Sequence, residues 1–258
     1  MSTTGDDRNR QVYHARGVAR HYQQKTLTRV EAMALLKYHA TFAQLDILDL
    51  GVGAGRTTIY LAPLARRYEA IDYSPEMVAT MQATMPAVSV HLGDMRDLSC
   101  FPDGSFDFVL GACNVIDAVN HEDRGRTLSE VARVLRRDGT FMFSSHNRDL
   151  FNALSAPRLE LSRNPVTLLL NLLRWVRQVA NHMRMTPLRE VRPDYALLDD
   201  DGHDHALLHY YVRQDYERKQ LQQFGFETIE VFDEAGRSLD PNERAPESPH
   251  LMYVERKH

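Results

Sequence analysis

The stretch LDILDLGVGAGRTT, residues 45–58, decides how the rest of the chain is read. Its apolar run at 46–50 has the length of a buried strand, and Gly51, Gly53 and Gly55 then alternate with small residues where a helix should begin. Glycine admits positive φ and lets a ligand approach the main chain with no Cβ in the way. A helix starting there would add free N–H groups and the positive end of its dipole. The stretch therefore predicts a ligand site at the carboxyl end of the first strand.

Outward from it, strand-like and helical runs alternate. A helix over 54–66 leads to strand 68–72, and a helix in SPEMVATMQATM has Ser74 as N-cap and Pro75 at its first position. Strands follow at 88–92, 106–112 and 140–145, with a helix over 122–136 between the last two. The rhythm breaks after Asn147 and resumes with a helix near 213–224 and strands at 226–233 and 250–257. Before the glycine loop, residues 17–42 read as helical. The pattern predicts an α/β fold with a doubly wound, mainly parallel seven-stranded sheet. A C-terminal antiparallel hairpin closes the sheet, and a helical insertion separates strands 5 and 6. The expected division is a flexible N-terminus over 1–16, a main domain over 17–149 and 206–258, and an inserted lid over 150–205.

Composition narrows the function. The 258 residues are 43% hydrophobic and 26% charged, enough for one large domain with its own core. A formal charge of −4 gives no global attraction to nucleic acid or an anionic membrane. Cys100 and Cys113 form no CxxC pair, which argues against a structural zinc site and suits a reducing cytoplasm. The polar start MSTTGDDRNRQ lacks the apolar core of a secretory leader, and no uninterrupted apolar run reaches the roughly 18 residues a spanning helix needs.

Two familiar glycine loops fit poorly. The dinucleotide fingerprint G-x-G-x-x-G would place its third glycine at Arg56, where a long charged side chain opposes close helix–strand packing; a P-loop needs a GK[S/T] that is absent. The D-x-G-x-G-x-G of Asp49 to Gly55 resembles instead the first motif of the class I S-adenosylmethionine-dependent methyltransferases. The resemblance continues in register. AIDYSPEMV carries Asp72, Tyr73, Ser74 and Met77; GDMRDL carries Asp94 and Met95; FDFVLGACNVIDAV resembles the fourth strand and EVARVLRRDGTFMFSSHN the approach to the fifth. It covers roughly residues 18–147 and implies the strand order 3-2-1-4-5-7-6. By resemblance, Asp49 positions the loop and the amino acid end of S-adenosyl-L-methionine, Gly51, Gly53 and Gly55 admit it, and Asp72 binds ribose. Asp94 and Met95 would bind adenine, with Tyr73 and Met77 lining the same site. Asn114 and Ile116 would lie between cofactor and substrate. Tyr13, Tyr22 and Arg29 are candidates for closing over the cofactor, Arg29 beside its carboxylate.

The sulfonium cofactor carries its own leaving group, so alignment supplies most of the catalysis and a base matters only for a protonated nucleophile. His146 in SSHNRD is the base candidate, since histidine titrates near neutral pH; the segment resembles an H-x-N-like stretch of small-amine N-methyltransferases. Asn114, His146, Asn147, Arg148, Tyr210 and Tyr211 are the candidate substrate contacts. His203, Asp204, His205 and His209 match no metal-ligand spacing, so no metal is expected. In the insertion, leucines and valines recur at helical intervals in PVTLLLNLLRWVRQVANHM, and residues 158–192 hold seven arginines against Glu160 and Glu190. A substrate-covering lid, a homodimer interface and a lipid headgroup contact all fit that pattern. The expected activity is methyl transfer to an O or N nucleophile of a small molecule. A methyltransferase of tRNA or protein and a non-catalytic cofactor-binding protein are the alternatives, an NAD-linked oxidoreductase a distant one.

Overall fold

The computed structural model describes Asn9 and residues 26–153, 156–240 and 243–258. Helix α1, Arg29–Tyr38, starts at a capping box in which Thr28 accepts from the Glu31 N–H and the Glu31 carboxylate accepts from the Thr28 N–H. Strand β1, Asp46–Leu50, is buried at all five positions, as expected for a central parallel strand covered on both faces. Only a short helix, α2 (Thr58–Leu61), follows the glycine loop, in place of the longer one predicted.

Strand β2 (Arg67–Asp72) leads through the Ser74 cap and Pro75 into α3 (Pro75–Thr84), whose Met77, Val78 and Met81 face the core. Strands β3 (Ser89–Leu92) and β4 (Phe106–Gly111), helix α4 (His121–Val134) and strand β5 (Leu135–Asn147) complete the first half. Strand β5 begins earlier than the sequence suggested, with a register shift against β4 and Asp138 at φ +62°. Helix α5 (Pro165–Met185) lies in the insertion. It is followed by β6 (Glu190–Val191), β7 (Tyr195–Leu198), β8 (His209–Val212), α6 (Gln214–Gln223), β9 (Phe226–Phe232) and β10 (His250–Lys257).

The expected seven-stranded order is present as β3-β2-β1-β4-β5-β10-β9, with β9 and β10 antiparallel. Three further strands, β8-β7-β6, extend the sheet to ten. Strand β10 pairs with β5 as far as His146, β4 leaves β5 at Phe143, and β8 pairs with His146 and Asn147. β8 therefore takes the edge that β4 has vacated. This brings the insertion to the carboxyl end of β5, beside the predicted base. The insertion is thus part helix and part sheet; its strands are two to four residues long and interrupted by Pro193, too short to leave a clear alternation in the sequence.

Beneath this junction lies a wholly buried ionic cluster. The Arg124 guanidinium donates to Asp117, in the 3₁₀ turn Val115–Asp117, to Glu217 of α6 at 2.6 Å, and to the Ser145 hydroxyl at 3.3 Å. Arg124, Asp117 and Glu217 are each 0% exposed. The Tyr210 ring lies 4.7 Å from the guanidinium carbon. Removing one partner of such a cluster leaves uncompensated charge out of water. Arg124→Ala is expected to lower the unfolding free energy by about 3–5 kcal/mol in urea titrations, with part recovered by adding Glu217→Gln. A loss under about 1 kcal/mol would mean that the cluster is not what joins α4, α6 and β5.

Candidate active site

A cleft opens at the carboxyl ends of β1, β2 and β4, with an empty volume of about 1140 Å³ including the solvent at its mouth. Asp49, Gly51, Val52, Gly53, Ala54, Arg56 and Thr57 form one wall; Asp72, Tyr73, Ser74 and Met77 a second; Gly93, Asp94, Met95 and Arg96 a third. Ala112, Cys113, Val115, Ala118 and Val119 close it from the end of β4.

Asp72 fixes two of these walls together. One of its oxygens accepts from the Gly53 N–H and the other from the Ser74 N–H, each at 2.8 Å. Gly51 and Gly53 both adopt left-handed φ, +57° and +58°, but for different reasons. A Cβ on Gly51 would lie 2.1 Å from Val115 Cγ2, whereas on Gly53 nothing comes nearer than the Gly51 carbonyl at 4.0 Å. Gly51 is thus required by packing, and Gly53 leaves room for a ligand. Gly55 turns away from the cleft and packs on Met81 and Met85.

Asp49, 1% exposed, accepts from the Thr57 hydroxyl and from Tyr68 at 2.6 Å. Burial pushes its carboxyl up to about 6, against these hydrogen bonds, which favour the ionised form. Arg56, met in the sequence only as a misfit to the dinucleotide pattern, reaches Glu31 of α1 through both terminal nitrogens, one at 2.6 Å. Burial raises the Glu31 carboxyl, and Arg56 outweighs it and holds it below the ordinary range. Asp94 receives Arg96 through Nε at 2.9 Å and a terminal nitrogen at 2.8 Å, so the acid expected at adenine is itself clamped by an arginine in the cleft wall.

Several expected contacts lie elsewhere. Arg29 is exposed on α1 and does not line the cleft, where Arg56 stands instead. Ile116 is fully buried in the core. Asn147 donates to the carbonyls of Ala245 and Ser248 and is 2% exposed, which makes it a tie between loops and not a substrate contact. Arg148 donates to the Pro193 carbonyl. Tyr210 is 0% exposed, lies 4.7 Å from Arg124 and hydrogen-bonds His121 at 2.8 Å, so it belongs to the ionic cluster. Tyr13 and Tyr22 lie outside the described residues. Asn9, expected in a flexible stretch, lines the cleft and is fixed there by hydrogen bonds to the Ala118 and Leu208 carbonyls and the Leu208 N–H.

His146 sits behind the Cys113–Asn114 turn, two successive residues at φ +56°. Its Nδ1 and its backbone N–H meet the same Asp117 oxygen, at 2.8 and 2.7 Å. Burial raises the Asp117 carboxyl, but Arg124 and His146 together hold it below its ordinary range. An ionised carboxylate only accepts, so Nδ1 carries the proton and Nε2 presents a lone pair, which meets the Asn114 amide nitrogen at 3.1 Å. Tyr211 and His209 pack beside the ring, with centroids 4.8 and 5.2 Å away, and both bond Asp200, at 2.6 and 2.7 Å.

The histidines of 203–209 do not form one group. His209 joins His146 and Asp200, while His205 joins His182 and Asp199. Asp199 also accepts from Arg189, and Asp204 pairs with Arg174 and Arg177. Asp199 bonds both His182 and His205, and Asp200 bonds His209, while His146 bonds Asp117 instead.

Known proteins agree with this geometry. Residues 47–139 match the family described as methyltransferase domain. A probable S-adenosylmethionine-dependent methyltransferase of Mycolicibacterium smegmatis is 34% identical over 108 residues, 42% of this chain and 40% of that protein. The chain therefore spans well under half the length of this relative. Among solved structures, the CcbJ methyltransferase of Streptomyces caelestis aligns with 100% of this chain and 99% of its own at a TM-score of 0.65 and 16% identity. The 1,6-didemethyltoxoflavin-N1-methyltransferase of Burkholderia thailandensis, solved with 1,6-didemethyltoxoflavin and S-adenosylhomocysteine, aligns with 98% and 86% at 0.58 and 17%. Residues 47–139 thus match a methyltransferase domain, set in a sheet of Rossmann-like order, and the relatives that share this segment are named as S-adenosylmethionine-dependent methyltransferases.

The two glycines separate by stability. Gly53→Ala should cost only the roughly 1–2 kcal/mol of a left-handed non-glycine residue. Gly51→Ala adds a steric clash and should lower the thermal midpoint well beyond that, as scanning calorimetry would show. Equal losses would contradict the packing role given to Gly51.

Proposed function

We propose that the protein catalyses S-adenosylmethionine-dependent methyl transfer to an O or N nucleophile of a small molecule. The observation that carries this is the convergence of Gly53, Asp49, Asp72 and the Asp94–Arg96 segment on one cleft, with His146 directly behind its inner wall. The residues suit the cofactor. The open space at Gly53 admits its methionine half, Asp49 offers negative charge near its cationic end, Asp72 lies where ribose hydroxyls need acceptors, and Tyr73, Met77 and Met95 add apolar surface for the ring. Bound there, S-adenosylmethionine supplies an electrophilic methyl group for in-line displacement, leaving as S-adenosylhomocysteine.

The chain supplies the rest. Asp117 orients His146 and keeps its proton on Nδ1, so that Nε2 can take the proton of a hydroxyl or ammonium nucleophile that displaces the Asn114 amide from it. Asn114 Oδ1 is buried with no hydrogen-bond partner in the protein and would accept from such an N–H or O–H group. Ala118 and Val119, held by Asn9, exclude water from the cleft. A small acceptor is favoured because β8 and the insertion crowd the carboxyl end of β5, and because the Burkholderia neighbour acts on a small heterocycle.

Two measurements test this reading. S-adenosylmethionine binds as a net cation, so its affinity by calorimetry should rise as pH passes upward through about 6 and Asp49 ionises; Asp49→Asn should flatten that profile, and Gly53→Ala should weaken binding at every pH. His146→Ala should reduce turnover by about 10²–10⁴-fold with cofactor affinity unchanged. Undiminished turnover in that variant would remove the base.

A further inference from the structure

Helix α5 is mounted inside out. A surface helix ordinarily buries its apolar stripe and shows water its polar face. Here the face turned to the protein is polar along most of its length, with Met185 buried at its end. Asn171 donates to the Glu160 carbonyl at 3.0 Å, Gln178 to Asp204 at 3.4 Å, Asn181 to the Asp204 carbonyl at 2.9 Å, and His182 bonds Asp199 at 2.8 Å. The opposite face carries Val166, Leu169, Leu170, Leu173, Val176 and Met183, each 54–70% exposed. Val166, Leu169, Leu173 and Val176 recur every three or four residues, Leu170 flanks them and Met183 lies two turns on, so the stripe runs over roughly 26 Å of helix at 1.5 Å per residue. Apolar surface this contiguous marks an interaction site on a folded protein.

We infer that this face docks on an anionic lipid surface. Charge decides the occupant. Residues 161–189 contain five arginines and neither aspartate nor glutamate. Asp204 engages Arg174 and Arg177, and Asp199 engages Arg189; Arg163 and Arg184 stand exposed beside the apolar stripe. An anionic headgroup layer satisfies both features at once, taking the leucines below its surface and the arginines at it. A second copy of the chain would cover the leucines but bring arginines to arginines, with no acid within 161–189 of either copy to meet them. The inward polar face and its hydrogen bonds keep the helix on the surface, and among the described residues no helix is long and apolar enough to cross a membrane.

The test uses the full chain and needs no substrate. Cosedimentation with vesicles of phosphatidylcholine and phosphatidylglycerol in equal amounts should give at least about tenfold more bound protein than phosphatidylcholine alone, falling as salt is raised. Leu169→Glu with Val176→Glu should abolish that binding while leaving thermal midpoint and S-adenosylmethionine affinity unchanged, since both side chains face solvent. Arg163→Glu with Arg184→Glu should cut it several-fold. Binding no better to anionic than to neutral vesicles would overturn the inference. So would light scattering that shows a stable dimer which Leu169→Glu with Val176→Glu splits, because the face then belongs to a second copy. Neither result bears on methyl transfer, which the cofactor titration tests separately.

Discussion

A guanidinium taken wholly out of water is tolerable only when its charge and its donors are met, and Arg124 meets them from three places in the chain. Asp117 and the Ile116 carbonyl come from the turn after β4, Ser145 from β5, and Gln220 and Glu217 from α6. Each element must therefore arrive in register for the others to fold. The same demand sets the chemistry above it. Arg124 keeps Asp117 ionised, Asp117 keeps the proton on one side of His146, and the lone pair on the other side follows. The orientation of His146 is thus set by the burial of a charge one layer down.

The cofactor cleft uses a different economy of parts. Asp72 holds the glycine loop to the first turn of α3 through the main-chain N–H groups of Gly53 and Ser74. Arg56 and Arg96 each sit in the wall already paired, with Glu31 and with Asp94 and Asp123. Paired arginines hold a wall in place and present donors to a ligand without leaving a naked charge in a partly dry cleft.

The glycine loop, Asp72 and GDMRDL were legible because local spacing determines them, and the order of the first five strands followed from the family they resemble. The residues that escaped did so because their meaning is relational. Arg56 matters through Glu31, whose capping box Thr28-x-x-Glu31 was a readable helix start and was passed over in favour of a longer helix. Asn9 matters through carbonyls at 118 and 208, which no pattern near residue 9 announces. Tyr210 and Tyr211 were both taken to face substrate, yet strand alternation sends them to opposite sides, one to Arg124 and one to Asp200. Strands β6 to β8 escaped because they are short and owe their existence to an edge of β5 that only the folded sheet exposes.

The adjacent acids after β7 show the same alternation at larger scale. Asp199 reaches His182 of α5 together with Arg189 and His205, while Asp200 reaches His209 and Tyr211 beside the ring of His146. Two neighbouring carboxylates on one short segment thus carry two separate histidine braces back to back, one toward α5 and one toward His146. Inserting a single residue there would turn both carboxylates to the wrong side at once.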